Sequence, residues 1–268
     1  MSARPALLAL VVIALLAVGG GAAAWALFLR GDDVAPLSLP SAGAASSGGD
    51  PVGSTSGGSA SAAPASGSST SGGTGSLPPA SGVAIDAAGL PGTWSIAADS
   101  VVGYRVRERL ASLSADSDAV GRTNAISGSA TIASSGGGLS VTAAAFSVDM
   151  TTLTSDRQMR DNRLRNDGIQ TASFPTSTFT LTAPIALPTE ATTGAAVAVT
   201  LHGDLALHGV TKSVDIAANA QVNGSLIQIQ GALDFPFSDY AINAPNIGGF
   251  VSVEDHGTLE FLVNLAKG

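Results

Sequence analysis

Over the C-terminal two-thirds of the chain, apolar side chains recur at every second position. The run VAVTLHGDLAL puts Val197, Val199, Leu201, Leu205 and Leu207 on one parity, against Ala198, Thr200, His202, Asp204 and Ala206 on the other. Successive side chains of a strand point to opposite faces, so this pattern predicts a half-buried strand. It returns with Val214, Ile216, Ala218, Ala220 and Val222, with Ile227, Ile229, Leu233 and Phe235, and with Leu259, Phe261, Val263 and Leu265. Upstream, Val102, Tyr104 and Val106 alternate with Gly103, Arg105 and Arg107, and Phe179, Leu181 and Ala183 with Thr178, Thr180 and Thr182. Around Ala143 to Phe146 the apolar parity switches from odd to even, which predicts a β-bulge. About eight such strands, with turn residues between them and no helical crossovers, predict an all-β closed antiparallel barrel or a sandwich.

One segment breaks the period. After Met150 the chain reads TTLTSDRQMRDNRLRNDGIQTASFPTSTF. Asp156 as N-cap, the four-apart pairs Arg157/Asp161 and Asp161/Arg165, and Gly168 as a stop predict one short helix. It sits in an excursion between strands, and excursions of that length carry function or their own structure.

Two further segments precede the periodic region. Residues 6–29, ALLALVVIALLAVGGGAAAWALFL, carry no charge. At about 1.5 Å per helical residue they are long enough to cross an apolar bilayer core of about 30 Å. The reading is an N-terminal membrane anchor over 1–30, with a cleaved signal peptide as the alternative. Arg4 and the free amino terminus on one side, against Arg30 followed by Asp32 and Asp33 on the other, favour an extracytoplasmic C-terminal part, secreted if the segment is cleaved. Residues 31–90 are Gly/Ser/Ala/Pro-rich and read as a disordered linker, because they hold too little apolar surface to offset ordering entropy. Random-coil scaling gives about 60 such residues a reach of roughly 40 Å. The folded domain is then 91–268.

Charge and composition narrow the function. With 12 Lys+Arg against 20 Asp+Glu the chain is acidic, which argues against a nucleic-acid partner. It has no cysteine, hence no disulfide, thiolate metal site, cysteine nucleophile or lipid-carrying cysteine. His202 and His208 are six apart. On one straight strand that is about 20 Å, too far to share a metal whose nitrogens must each lie about 2 Å away. If the strand ends at Leu207, His208-Gly209 is a hairpin tip, and both histidines read as turn and outer surface. The domain has no nucleophile elbow, His-Glu-x-x-His helix, P-loop or dinucleotide fingerprint. The neighbours Glu254 and Asp255 would point to opposite faces of a strand. No catalytic residue and no metal ligand is therefore assigned, and an enzyme is not expected.

Several stretches occur together in one order: TWSIAADSVVGYRV, VGRTNAISGSATI, the arginine-rich SDRQMRDNRLRND followed by FPTSTFTL, and GDLALHGVTKSV. In combination they resemble the YceI-like family of polyisoprenoid-binding, lipocalin-like proteins, over about residues 93–266. The resemblance implies an extended eight-stranded antiparallel lipocalin-like barrel, exported, with an apolar lumen for a long isoprenoid or fatty chain. It departs from the family where histidines are frequent: Asp99 stands after the first strand, Arg107 or Glu108 near the end of the second, and Arg163 in the arginine-rich segment.

The expectation is a membrane-tethered, extracytoplasmic, single-pass lipid-binding protein with no resident cofactor. Its ligand is an amphiphile of isoprenoid, quinone or fatty-acid type, because burying a chain contributes about 0.8 kcal/mol per CH₂ without any catalytic group. The expected lumen contacts are Tyr104, Val106, Phe146, Phe179, Leu181, Val199, Leu201, Val214, Ile216, Ile229 and Phe235. Arg157, Arg160, Arg163 and Arg165 are candidate headgroup contacts at the mouth, or else a solvated helix with internal ion pairs. The alternative is a ligand-free cell-surface interaction module on a flexible tether; a continuous apolar tunnel would favour the lipid reading and a filled core the module.

Overall fold

The runs that alternate in sequence become strands of one antiparallel sheet. The computed structural model describes residues 34–40, 86–110, 116–244, 246–247 and 251–268. Its strands are β1 (Gly92–Ile96), β2 (Val101–Leu110), β3 (Asp116–Thr123), β4 (Ile126–Ser135), β5 (Gly138–Asp149), β6 (Thr154–Ser155), β7 (Thr176–Leu181), β8 (Ile185–Leu187), β9 (Val197–Leu207), β10 (Val210–Asn223), β11 (Leu226–Pro236), β12 (Asn246–Ile247), β13 (Val251–Val253) and β14 (His256–Lys267). Among the described residues one α-helix, α1 (Gln158–Asn166), forms, and it lies in the predicted excursion.

Eight staves close the sheet on itself. β1 pairs with β4, then β5, β7, β9, β10, β11 and β14 follow, and β14 returns to β1. Of the two architectures the periodicity allows, the barrel is the one formed. The other strands extend these staves. β1 and β2 run along the same side of β14, with Ile96 opposite Leu265 and Val101 opposite Leu262. β3 pairs with β2 much as β4 pairs with β1. Closure leaves no long unpaired edge on the ring.

The predicted parity switch is a bulge in β5. Thr131 faces Ala143 and Ile132 faces Val141, so Thr142 is the extra residue. It lets Val141 and then Ala144, Phe146 and Val148 all face the lumen. The His208-Gly209 turn also forms as predicted. Leu207 pairs with Val210, and both turn residues have positive φ (51° and 74°), which suits the right-handed twist of the flanking strands.

The lumen side chains fall into two packed groups. At one end are Leu90, Trp94, Ile132, Val222, Ile227 and Leu265. At the other are Met150, Leu153, Leu205, Leu207, Phe237, Tyr240 and Ile242. Each end has a plug. A 3₁₀ turn over Ala87–Gly89, capped by the Asp86 side chain, brings in Leu90, whose carbonyl accepts from Trp94 Nε1 at 2.8 Å. A second 3₁₀ turn, Phe237–Tyr240, fills the opposite end, where the Tyr240 ring meets Phe235 edge-on at 5.3 Å.

Three expectations are corrected. The 31–90 linker is not uniform: Val34–Pro40 lies against the barrel and Asp86–Leu90 plugs it. In Val34–Pro40, Val, Leu and Pro stand where Gly and Ser dominate elsewhere, and in Asp86–Leu90 the buried Leu90 supplies the apolar surface that offsets the ordering cost. On α1, Arg157 rather than Asp156 occupies the N-cap position. Asp161 turns its Oδ1 to Ser155 (2.9 Å to N, 2.6 Å to Oγ), and the four-apart ion pairs are Asp156–Arg160 and Arg163–Asp167 rather than Asp161/Arg165. Residues 1–33, with the expected membrane helix, and residues 41–85 of the linker lie outside the described residues; among the described residues no helix is long and apolar enough to cross a membrane.

Candidate ligand-binding cavity

Between the two packed ends the barrel holds an apolar cavity of about 170 Å³. An empty cavity of about 150 Å³ between apolar side chains stays dry and takes benzene, so this one is large enough for part of an apolar chain. Its lining is apolar apart from Ser177, Thr178 and Gln221. Small side chains on the lumen parity, among them Ala130, Ala144 and Ala220, keep the walls thin where Leu or Phe would fill the space.

Seven of the eleven expected lumen residues line this cavity: Phe146, Phe179, Leu181, Val199, Leu201, Ile216 and Ile229. Phe146 and Phe179 face one another across β5 and β7. Tyr104, Val106, Val214 and Phe235 do not line it. They pack into the Tyr240 end, where Phe237, Met150 and Leu153 fill the lumen. Strand parity marks a residue as inward, but it does not reveal that a turn from elsewhere in the chain already occupies the space. Trp94, Leu90, Val222 and Leu265 also line the cavity and were missed as contacts. The Trp94/Ile96 alternation was the available signal for the first of them.

The Tyr240 end holds buried polar atoms without a hydrogen-bond partner among the described residues: Tyr104 Oη, Tyr240 Oη and His208 Nε2. Burial pushes the Tyr104 phenol well above its ordinary range, a shift that the nearby Arg160 guanidinium opposes. His208 is not on the outer surface as the sequence suggested. It is 9% exposed, its ring lies 4.3 Å from that of Phe174, and its Nδ1 is 2.9 Å from the Tyr240 carbonyl oxygen. The cause is the excursion, which brings Phe174 over the hairpin tip. His202 is exposed and meets Asp215 across β9 and β10 at 2.6 Å. The two histidines therefore occupy separate environments.

The arginines of the excursion serve its own structure. Arg160 is bound to Glu108 of β2 through Nε (3.2 Å) and Nη2 (3.0 Å) and also pairs with Asp156, which ties α1 to the barrel wall. Arg157 pairs with Asp156 at 3.5 Å, Arg163 meets Asp167 at 3.7 Å, and Arg165 is exposed. At the positions where histidine is frequent, Asp99 forms a turn with φ 61°, Arg107 bonds Asp118 at 2.8 Å, and Glu108 holds Arg160.

Comparison with known proteins matches residues 94–265 to the YceI-like domain model. Among solved structures, a polyisoprenoid-binding domain from Saccharophagus degradans implicated in plant cell wall breakdown has a TM-score of 0.51 at 18% identity, covering 66% of this chain and 99% of its own. Burkholderia cenocepacia BcnA has a TM-score of 0.44 at 16% identity, covering 60% and 95%, and a Campylobacter jejuni YceI protein 0.43 at 16%, covering 55% and 84%. At such identities the first likeness speaks for the fold alone. A search of curated proteins returns no match. Because the domain model spans more than half of the sequence and the barrel it describes is the one observed, the chain belongs to the YceI-like family.

Proposed function

We propose that this protein binds a single amphiphile, with the ligand's apolar chain in the barrel cavity and its N-terminal segment holding the domain at the outer face of a membrane. The observation that carries the reading is the cavity itself, an apolar space flanked by alanines inside a closed barrel. Each buried CH₂ contributes about 0.8 kcal/mol, so a chain of several carbons is held without charged contacts. An isoprenoid, quinone or fatty-acid-like chain fits this chemistry, and family membership and the polyisoprenoid-binding domain of like fold support it. The unpartnered Tyr104, Tyr240 and His208 atoms lie in the packed Tyr240 end, beyond the cavity lining, so affinity comes from the apolar chain and no headgroup contact is assigned. Binding, rather than turnover, is the proposed role.

The packed Tyr240 end favours a second reading, the ligand-free interaction module displayed from the cell surface. One experiment separates the two. The full chain, purified from its native host, is extracted with organic solvent for lipid mass spectrometry, then offered a polyprenol, a quinone and palmitate. A stoichiometric lipid in the extract, or saturable uptake of one probe, is expected. An empty extract with no uptake leaves the module.

A further inference from the structure

The outer wall of the barrel carries buried polar residues that strand parity assigns to solvent. Leu259, Phe261, Val263 and Leu265 of β14 face the lumen, so Glu260 and Asn264 face outward, yet they are only 3% and 4% exposed. Gln221, Gln228 and Asn264 lie side by side on β10, β11 and β14 and are joined by bonds of 3.0 and 2.9 Å. Exposed strand faces do not ordinarily bury such groups. The turn after β1 covers Asn264, whose Nδ2 donates to Ala98 O at 3.1 Å, and beside it on the wall lies Val34–Pro40, the sequence VAPLSLP.

Three barrel side chains donate to backbone carbonyls of that segment. Arg105 Nη2 reaches Val34 O at 2.8 Å, Arg122 Nη2 reaches Ala35 O at 2.6 Å, and Gln221 Nε2 reaches Pro40 O at 3.2 Å. The same two arginines pair with Glu260, at 3.5 and 2.8 Å. From β2 to β10 is three strand spacings, about 14 Å, and a fully extended Val34–Pro40 reaches at most about 21 Å, so the segment is long enough to cross the wall. Val34, Leu37 and Leu39 are half-buried while Ala35, Pro36, Ser38 and Pro40 are exposed. Pro36 and Pro40 pre-set φ near its extended value, which lowers the entropy lost on docking.

We infer that Val34–Pro40 is an intramolecular strap, and that the wall of Arg105, Arg122, Glu260 and Gln221 is a groove for an extended peptide of this pattern. The docking rests on these contacts and not on the tether proposed above. Because strap and groove share one chain, an effective concentration of about millimolar lets a few contacts hold the strap and lets a competing extended peptide release it.

The test uses the absence of cysteine. Spin labels are placed in the full chain at Ser38→Cys, on the exposed side of the strap, and at Ala232→Cys, exposed on β11, and their separation is measured by pulsed electron resonance. A single narrow distance is expected, broadening severalfold when Leu37→Asp and Leu39→Asp are added, with the Trp94 near-ultraviolet signal unchanged. A broad distribution in the parent chain overturns the strap. So does a narrow one that survives the two aspartates. Membrane partition of the same samples tests the tether separately, so either reading can fail without the other.

Discussion

Arg122 grips the carboxylate of Glu260 with two nitrogens, Nε at 3.2 Å and Nη2 at 2.8 Å from Oε1, although Glu260 points away from the lumen. The Glu260 side chain is 4% exposed and that of Arg122 27%. A charge so placed is tolerable only while its partners remain, because losing one leaves the other desolvated and uncompensated.

Arg122→Met is therefore expected to destabilise the barrel by about 2–3 kcal/mol, at or just below the range for broken buried pairs because Arg122 is part-exposed and Arg105 still faces Glu260. Adding Glu260→Leu should recover most of the loss, since the unpaired charge is then gone. Urea denaturation of the single and double variants checks this. Equal instability of both would assign the cost to packing.

Gly203 is expected to resist any side chain. A Cβ there would lie 2.3 Å from Phe179 Cζ and 2.6 Å from Thr180 O, so the ring uses the space the glycine leaves on β9. Gly203→Ala should cost about 1–3 kcal/mol, and Phe179→Leu in the same chain should recover only part of it, because the Thr180 carbonyl remains. Thermal melts of the two variants give the comparison.

Ala220 marks the cavity as a binding site in a way that stability alone does not. It faces the open part of the lumen from β10. Ala220→Phe is expected to fill that space and lower lipid uptake at least about tenfold, a change of roughly 1.4 kcal/mol in binding, while the fold remains intact. Unchanged uptake by a folded variant would move the ligand elsewhere.

Asp118 should make a small part of the stability depend on pH. Its carboxyl is held below the ordinary carboxylate range: burial pushes it up, but the hydrogen bonds from Arg107 and Arg105 outweigh this. A carboxyl whose folded value is depressed contributes above its unfolded value and loses that contribution as pH falls through the folded one. Asp118→Asn should therefore be less stable than the parent at neutral pH, by no more than about 1 kcal/mol for so accessible a pair. The difference should shrink once the pH drops below the ordinary aspartate range near 4. Denaturation midpoints across that range report it.

How much was legible in the sequence depends on the distance over which each feature is decided. The strands, the β5 bulge and the His208-Gly209 turn were readable because each is written within a few neighbouring residues. So was the presence of α1, though not its ion pairing, which shifts when Asp161 turns to Ser155. The burial of His208 was hidden because its cover, Phe174, comes from another part of the chain. Seven of the lumen residues were placed at the cavity for the same local reason that marks them inward, while Tyr104, Val106, Val214 and Phe235 share the parity but meet a plug.

The sequence by itself determined an all-β domain, the inward and outward parity of its strands, the short helix and membership of the YceI-like family, since period, turn chemistry and motif order are local or collinear properties. Only the tertiary structure decided that the sheet closes into a ring, that part of the lumen is open and part filled, and that Val34–Pro40 lies on an outward wall. Those outcomes depend on pairs such as Arg122 with Ala35 and Gln221 with Pro40, far apart in the chain, where burial is set by which surfaces meet and not by what either segment prefers alone.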